Sequence, residues 1–120
     1  MTCPIAAIRV SPDELNRLGA EAAHGNAEAE AKAVSGVAAL VWGLVVSRLA
    51  YLGSPTILEE VFGDILEDVV VAIRDFRPDR GARLSTFVRI CVSHAITKHK
   101  RAAFAHLARH RALDPESEAI

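Results

Sequence analysis

The chain is sparing with the residues that reactive and cross-linked scaffolds need. It has two cysteines, Cys3 and Cys91, which make neither a metal-spaced pair nor a disulfide framework. A reduced, cytosolic setting is the default that follows. Seven glycines and five prolines exclude a collagen-like or low-complexity chain. HExxH, CxxC, GxGxxG and P-loop patterns are all missing, so no catalytic group, metal or cofactor is expected. The opening MTCPIAAIRV lacks the charged and apolar stretches of a leader. The most apolar run, 34–52, is broken by Ser35, Gly36, Gly43, Ser47 and Arg48, which favours a buried helix over a membrane span. No alternating run with hairpin turns exists, and no internal repeat.

What is present suits one helical domain. The chain has 120 residues, of which 51% are hydrophobic, enough for a packed core. Its net charge of −1 hides a division along the sequence. Residues 1–76 hold five basic and eleven acidic side chains, a balance of −6. Residues 83–111 hold seven basic side chains and no acidic one: Arg83, Arg89, Lys98, Lys100, Arg101, Arg109 and Arg111. Such a basic segment is a candidate surface for nucleic acid, and equally for solvent or an acidic partner.

The periodicity predicts four helices and no strand. Ser11-Pro12-Asp13-Glu14 reads as a helix start, with Ser11 as cap and Glu14 completing a capping box. That helix should end near His24-Gly25-Asn26. A second runs from about Ala27 to Leu52 and stops at Gly53-Ser54-Pro55. Ser54 or Thr56 caps a third, on which Leu58, Val61, Phe62, Ile65, Leu66, Val69, Ala72, Ile73 and Phe76 recur at threes and fours. The β-branched Val69-Val70-Val71 sits inside that longer period, which overrules its strand propensity. Residues 77–81 read as a turn, and Ser85 as the cap of a fourth helix. On it Phe87, Ile90, Cys91, Ala95 and Ile96 are expected inward, and Lys98, Lys100 and Arg101 suit its C-terminal dipole. A break near Arg101 and a run-on through Leu107 both fit. Asp114-Pro115 ends the ordered part, giving a domain over 1–111 and a tail or linker over 112–120. The fold class is all-α, a compact bundle of about four helices.

Small clusters of polar side chains have ordinary readings. Asp64, Glu67 and Asp68 fit a solvated helix edge better than a cation site. His106 and His110 have ligand spacing but no further ligand beside them. Cys91 aligns with the apolar face, as an inert thiol would. Phe87, just after Arg80, Arg83, Ser85 and Thr86, fits either a pocket for an unstacked base or plain core.

Residues 59–101 carry a more specific signal. Glu59-Glu60 opens a helix, Ala72-Ile73-Arg74-Asp75-Phe76 closes it, and Arg77-Pro78-Asp79-Arg80-Gly81 makes the turn. Leu84-Ser85-Thr86-Phe87 then opens the next helix, with Ala95-Ile96 before the basic residues. In order and spacing this resembles region 2 of the bacterial RNA polymerase sigma-70 family, and residues 27–52 look like the segment that precedes it. The likeness points to the shorter, alternative or extracytoplasmic-function-like sigma factors. Housekeeping members have a tryptophan pair where this chain has Ile90-Cys91. Arg77, Gly63 and Leu84 also depart from the usual pattern.

The resemblance implies a helix that docks on the clamp coiled coil of the RNA polymerase core, with Glu60, Asp64, Glu67 and Asp68 as polar contacts. It also implies capture of the melted −10 strand of promoter DNA. Arg80 and Arg83 would hold phosphates, Thr86 and Phe87 would trap a base, His94 and Thr97 would lie at the upstream duplex edge, and Lys98 and Arg101 would position the DNA. No membrane role is implied, and the setting is cytoplasmic. Residues 112–120 are too few for the region 4 domain that reads the −35 element, so the expectation is a fragment, a partner of a second subunit, or a regulator that keeps only this module. The competing expectation is a helical interaction module that binds polymerase, an anti-sigma protein, a second sigma-like subunit or its own copy, and ignores DNA.

Overall fold

The computed structural model describes residues 2–52 and 54–113, with side chains as far as residue 102. Helix α1 spans Pro12–Ala23, and Ser11 Oγ accepts the Glu14 N–H at 3.2 Å. The capping box is half made, because the Glu14 carboxylate accepts from Arg17 instead of reaching back. The chain leaves α1 through Gly25, whose φ of 95° is the left-handed conformation glycine adopts without strain. Asn26 then accepts the Ala29 N–H at 3.1 Å and starts α2, Ala27–Leu49.

Helix α2 ends three residues before the expected Leu52, in a 3-10 turn over Ala50–Leu52. Of the two caps proposed for α3, the structure uses Ser54. Its Oγ accepts from the Ile57 N–H at 3.5 Å, and Pro55 takes the first helical position of Pro55–Arg74. Gly53 and residues 114–120 lie outside the described residues, and with them the proposed Gly53 terminator and the Asp114-Pro115 end.

The bundle is built round α2, which packs against α1, α3 and α4. By length and composition, Ala27–Leu52 would suffice to cross a bilayer. Here its Ala33, Val37, Ala38, Val41, Trp42, Val45 and Leu49 are buried inside the bundle. Trp42 meets Phe62 of α3 edge to face, with ring centres 5.4 Å apart. Ile65, Val69 and Ile73 of α3 continue the same core. Residues 2–10, outside any helix, lie against α2. The Ile8 N–H donates to Ser35 O at 3.2 Å, and Val10 packs at Gly36, where a Cβ would stand 3.3 Å from Val10 Cγ2.

After α3 the chain makes a 3-10 turn over Pro78–Arg80 and passes Gly81 at φ 83°. Helix α4 follows as Leu84–Leu113, so the run-on holds and no break occurs at Arg101. Its start corrects the expectation for Ser85. The Leu84 N–H donates to Asn16 Oδ1 of α1 at 2.7 Å, so the cap comes from another helix. Gly19 makes the approach possible, since a Cβ there would stand 2.9 Å from Leu84 Cδ2 and 3.1 Å from Phe76 Cδ2. Phe76, just past the end of α3, is buried in this junction.

Arg74 Nε, in the last turn of α3, donates to Glu30 Oε1 in the first turn of α2 at 2.6 Å. This charged hydrogen bond holds the Glu30 carboxyl below the ordinary glutamate range and raises Arg74. A carboxyl with a lowered folded pKa contributes stability above its unfolded pKa and loses it as pH falls through the folded value. The urea midpoint of Arg74→Gln should therefore lie below that of the parent chain at neutral pH. The two should converge as pH drops below about 4. Asn16→Ala should cost about 1 kcal/mol in urea unfolding, and Asn16→Asp, which keeps the acceptor, clearly less.

Candidate nucleic-acid and protein interface

Helix α4 has one core face and one outward face, and the register between them decides its chemistry. Leu84, Val88, Val92, Ala95 and Ile96 are buried against the other helices. Ala95 and Ile96 face inward as expected. Ile90 does not: it is 52% exposed. Its place inside was expected from helical spacing, but Val88 and Val92 form an equally regular row and are the ones the bundle encloses. Cys91 is half-buried, and burial pushes its thiol pKa up, away from nucleophilic use.

The outward face collects most of the residues singled out for DNA. At about 100° per residue, Arg83, Thr86, Phe87, Ile90, His94, Thr97, Lys98 and Arg101 fall within roughly a third of the helix circumference. All but the half-buried Phe87 are exposed. His94, Thr97, Lys98 and Arg101 together line a shallow cavity of about 290 Å³. The Thr97 hydroxyl donates to Ser93 O at 3.0 Å, leaving its lone pairs outward as acceptors. Arg80 is exposed on the 3-10 turn, one residue before the left-handed Gly81. Phe87 packs on the core, its ring 5.7 Å from that of Phe76 at 46°, while part of it stays accessible.

Helix α3 presents a face of opposite sign. Glu60, Asp64, Glu67 and Asp68 are all exposed and share the side opposite Phe62, Ile65 and Val69. None of the four pairs with a cation among the described residues. The same row is closed at both ends by apolar side chains the sequence reading passed over, Ile57 at 42% exposure and Val71 at 58%. Their angular positions on the helix were the available signal, masked by the β-branched run around Val71. The face thus sets four exposed carboxylates between two exposed apolar side chains.

Two further contacts were not foreseen. Arg48 Nη1 donates to Ser93 Oγ at 3.0 Å across the seam between α2 and α4. Lys100 Nζ lies 5.9 Å from the centre of the Tyr51 ring. Among the described residues no group of three His, Cys, Asp or Glu side chains is placed to hold a metal. The His106–His110 pair lies beyond the described side chains.

The family model for sigma-70 region 2 matches residues 34–114, which takes in most of α2 and all of α3, the turn and α4. No curated protein and no solved structure matches the chain.

The register of α4 is open to direct measurement. Val88→Ala, at a fully buried site, should lower unfolding free energy by about 1.5–3 kcal/mol. Ile90→Ala should stay within about 0.5 kcal/mol of the parent.

Proposed function

The chain belongs to the sigma-70 region 2 family, and we propose that it docks on RNA polymerase through α3 and holds the opened −10 strand of promoter DNA along α4. Its general role is interaction with polymerase and DNA, without covalent chemistry. The observation that carries the finer reading is the outward row of α4, where cations, hydroxyls and one accessible aromatic share a face.

Each residue has a task the geometry permits. Arg80 and Arg83 bind phosphates at the helix start, where the dipole also favours anions. Thr86 and the accessible part of Phe87 receive an unstacked base. His94 and Thr97 offer donors and acceptors to base edges, and Lys98 and Arg101 fix the backbone. Glu60, Asp64, Glu67 and Asp68 contact a basic face of the polymerase clamp coiled coil, with Ile57 and Val71 as apolar anchors. The setting is the cytoplasm. An anti-sigma protein or a second sigma-like subunit is a further partner, and the α3 face suits either.

Fluorescence anisotropy with a labelled single-stranded −10-like oligonucleotide, with and without core polymerase, tests this. Binding should be weak and salt-sensitive for the chain alone and stronger with polymerase. The double variant Arg83→Ala, Phe87→Ala should weaken it about tenfold or more, with circular dichroism confirming that the bundle is intact. Charge reversal by Glu60→Lys and Asp64→Lys should abolish only the gain from polymerase. Polymerase binding that survives with no DNA binding in any condition would instead favour an interaction module that ignores DNA.

A further inference from the structure

Beside the outward row of α4 runs a second line of cations that the family roles above leave out. Arg89 and Lys100 occupy the flank of α4 nearer the end of α2, about 100° round from Arg83 and Arg101. Between them, Ser93 Oγ donates to Arg89 O at 2.9 Å and accepts from Arg48 Nη1 at 3.0 Å. The last-turn cation of α2 is thereby brought into line with the two cations of α4. Lys100 follows two turns on, its ammonium over the ring of Tyr51, which is itself 63% exposed. From Arg89 to Ser93 the axis advances about 6 Å, and from Ser93 to Lys100 about 10 Å.

None of Arg48, Arg89 and Lys100 pairs with a carboxylate among the described residues. Scattered surface cations are common and need no explanation. Here two of the three are held by contacts between separate elements, and such ordering lowers the entropy lost on binding a fixed anion. One guanidinium N–H of Arg48 is used by Ser93, which leaves the rest of its donors for a ligand.

We propose that Arg48, Arg89 and Lys100 form a second phosphate-binding row, so that the DNA surface extends across the seam between α2 and α4. The ligand is the phosphodiester backbone, taken without reading bases. This rests on the DNA reading above and adds a separate set of residues to it.

The test measures the salt dependence of DNA affinity for the full chain, using a labelled −10-like single strand and the same strand with an upstream duplex extension. Each lost phosphate contact lowers the slope of log affinity against log salt by about 0.7 on single strands and 0.9 on duplex. The triple variant Arg48→Gln, Arg89→Gln, Lys100→Gln should reduce the slope by about two units on at least one probe. Its preference for the −10-like over a scrambled strand should be unchanged. Loss on the single strand alone places the row on the opened strand, and loss confined to the extended probe places it on duplex; either supports the proposal. Arg89→Gln, which removes no side-chain contact to another element, should alone reduce the slope by about one unit and guards against a misfolded triple variant. Slopes equal to the parent in both variants, while Arg83→Gln, Lys98→Gln, Arg101→Gln lowers them, overturn the second row and leave the first. Absence of DNA binding by the parent chain, with and without polymerase, overturns both.

Discussion

The amide of Leu84 enters α4 with no partner in its own helix, and the Asn16 side chain of α1 supplies one at 2.7 Å. That contact, with Phe76 and Leu84 pressed against the bare Gly19, fixes where α4 begins. Once the start is fixed, 3.6-residue periodicity leaves no freedom in the rest. Leu84, Val88, Val92, Ala95 and Ile96 turn inward, and the row from Arg83 to Arg101 must turn out. The chemistry of the outer face thus depends on a helix that contributes nothing to that face.

Much of this was legible in the residues. Local rules suffice for local features, so the caps at Ser11 and Ser54, the glycine exit at Gly25 and the bend at Gly81 all follow from neighbours within a few positions. The start of α4 was not legible, because its cap comes from a residue 68 positions away. Ser85 looked like a cap only on local grounds. The face of Ile90 was misread for a related reason: two interleaved apolar rows fit one helix, and only packing against the other three helices selects between them.

The site was legible in part, too. The basic row of α4 and the acidic row of α3 could be placed from spacing and from the resemblance to the sigma family. The apolar ends of the acidic row, Ile57 and Val71, became visible only with burial known. The link between Arg48 and Ser93 joins positions 45 apart and leaves no trace in local pattern. The charges of α3 and α4 lie on helices that pack together yet expose opposite signs away from the core. Unlike partners can then be engaged at once without competing for one surface.

Most outward side chains of α3 and α4 stand clear of the core; Arg74, tied to Glu30, and Phe87, packed on Phe76, are exceptions. Changes at positions 60, 64, 67, 94 or 101 leave the packing of Phe62, Ile65, Val88 and Val92 untouched. Descendants of one such gene can therefore drift in what they recognise while inheriting a single scaffold. Asn16 and Gly19, set against Leu84 and Phe76 at the root of α4, leave far less room for change.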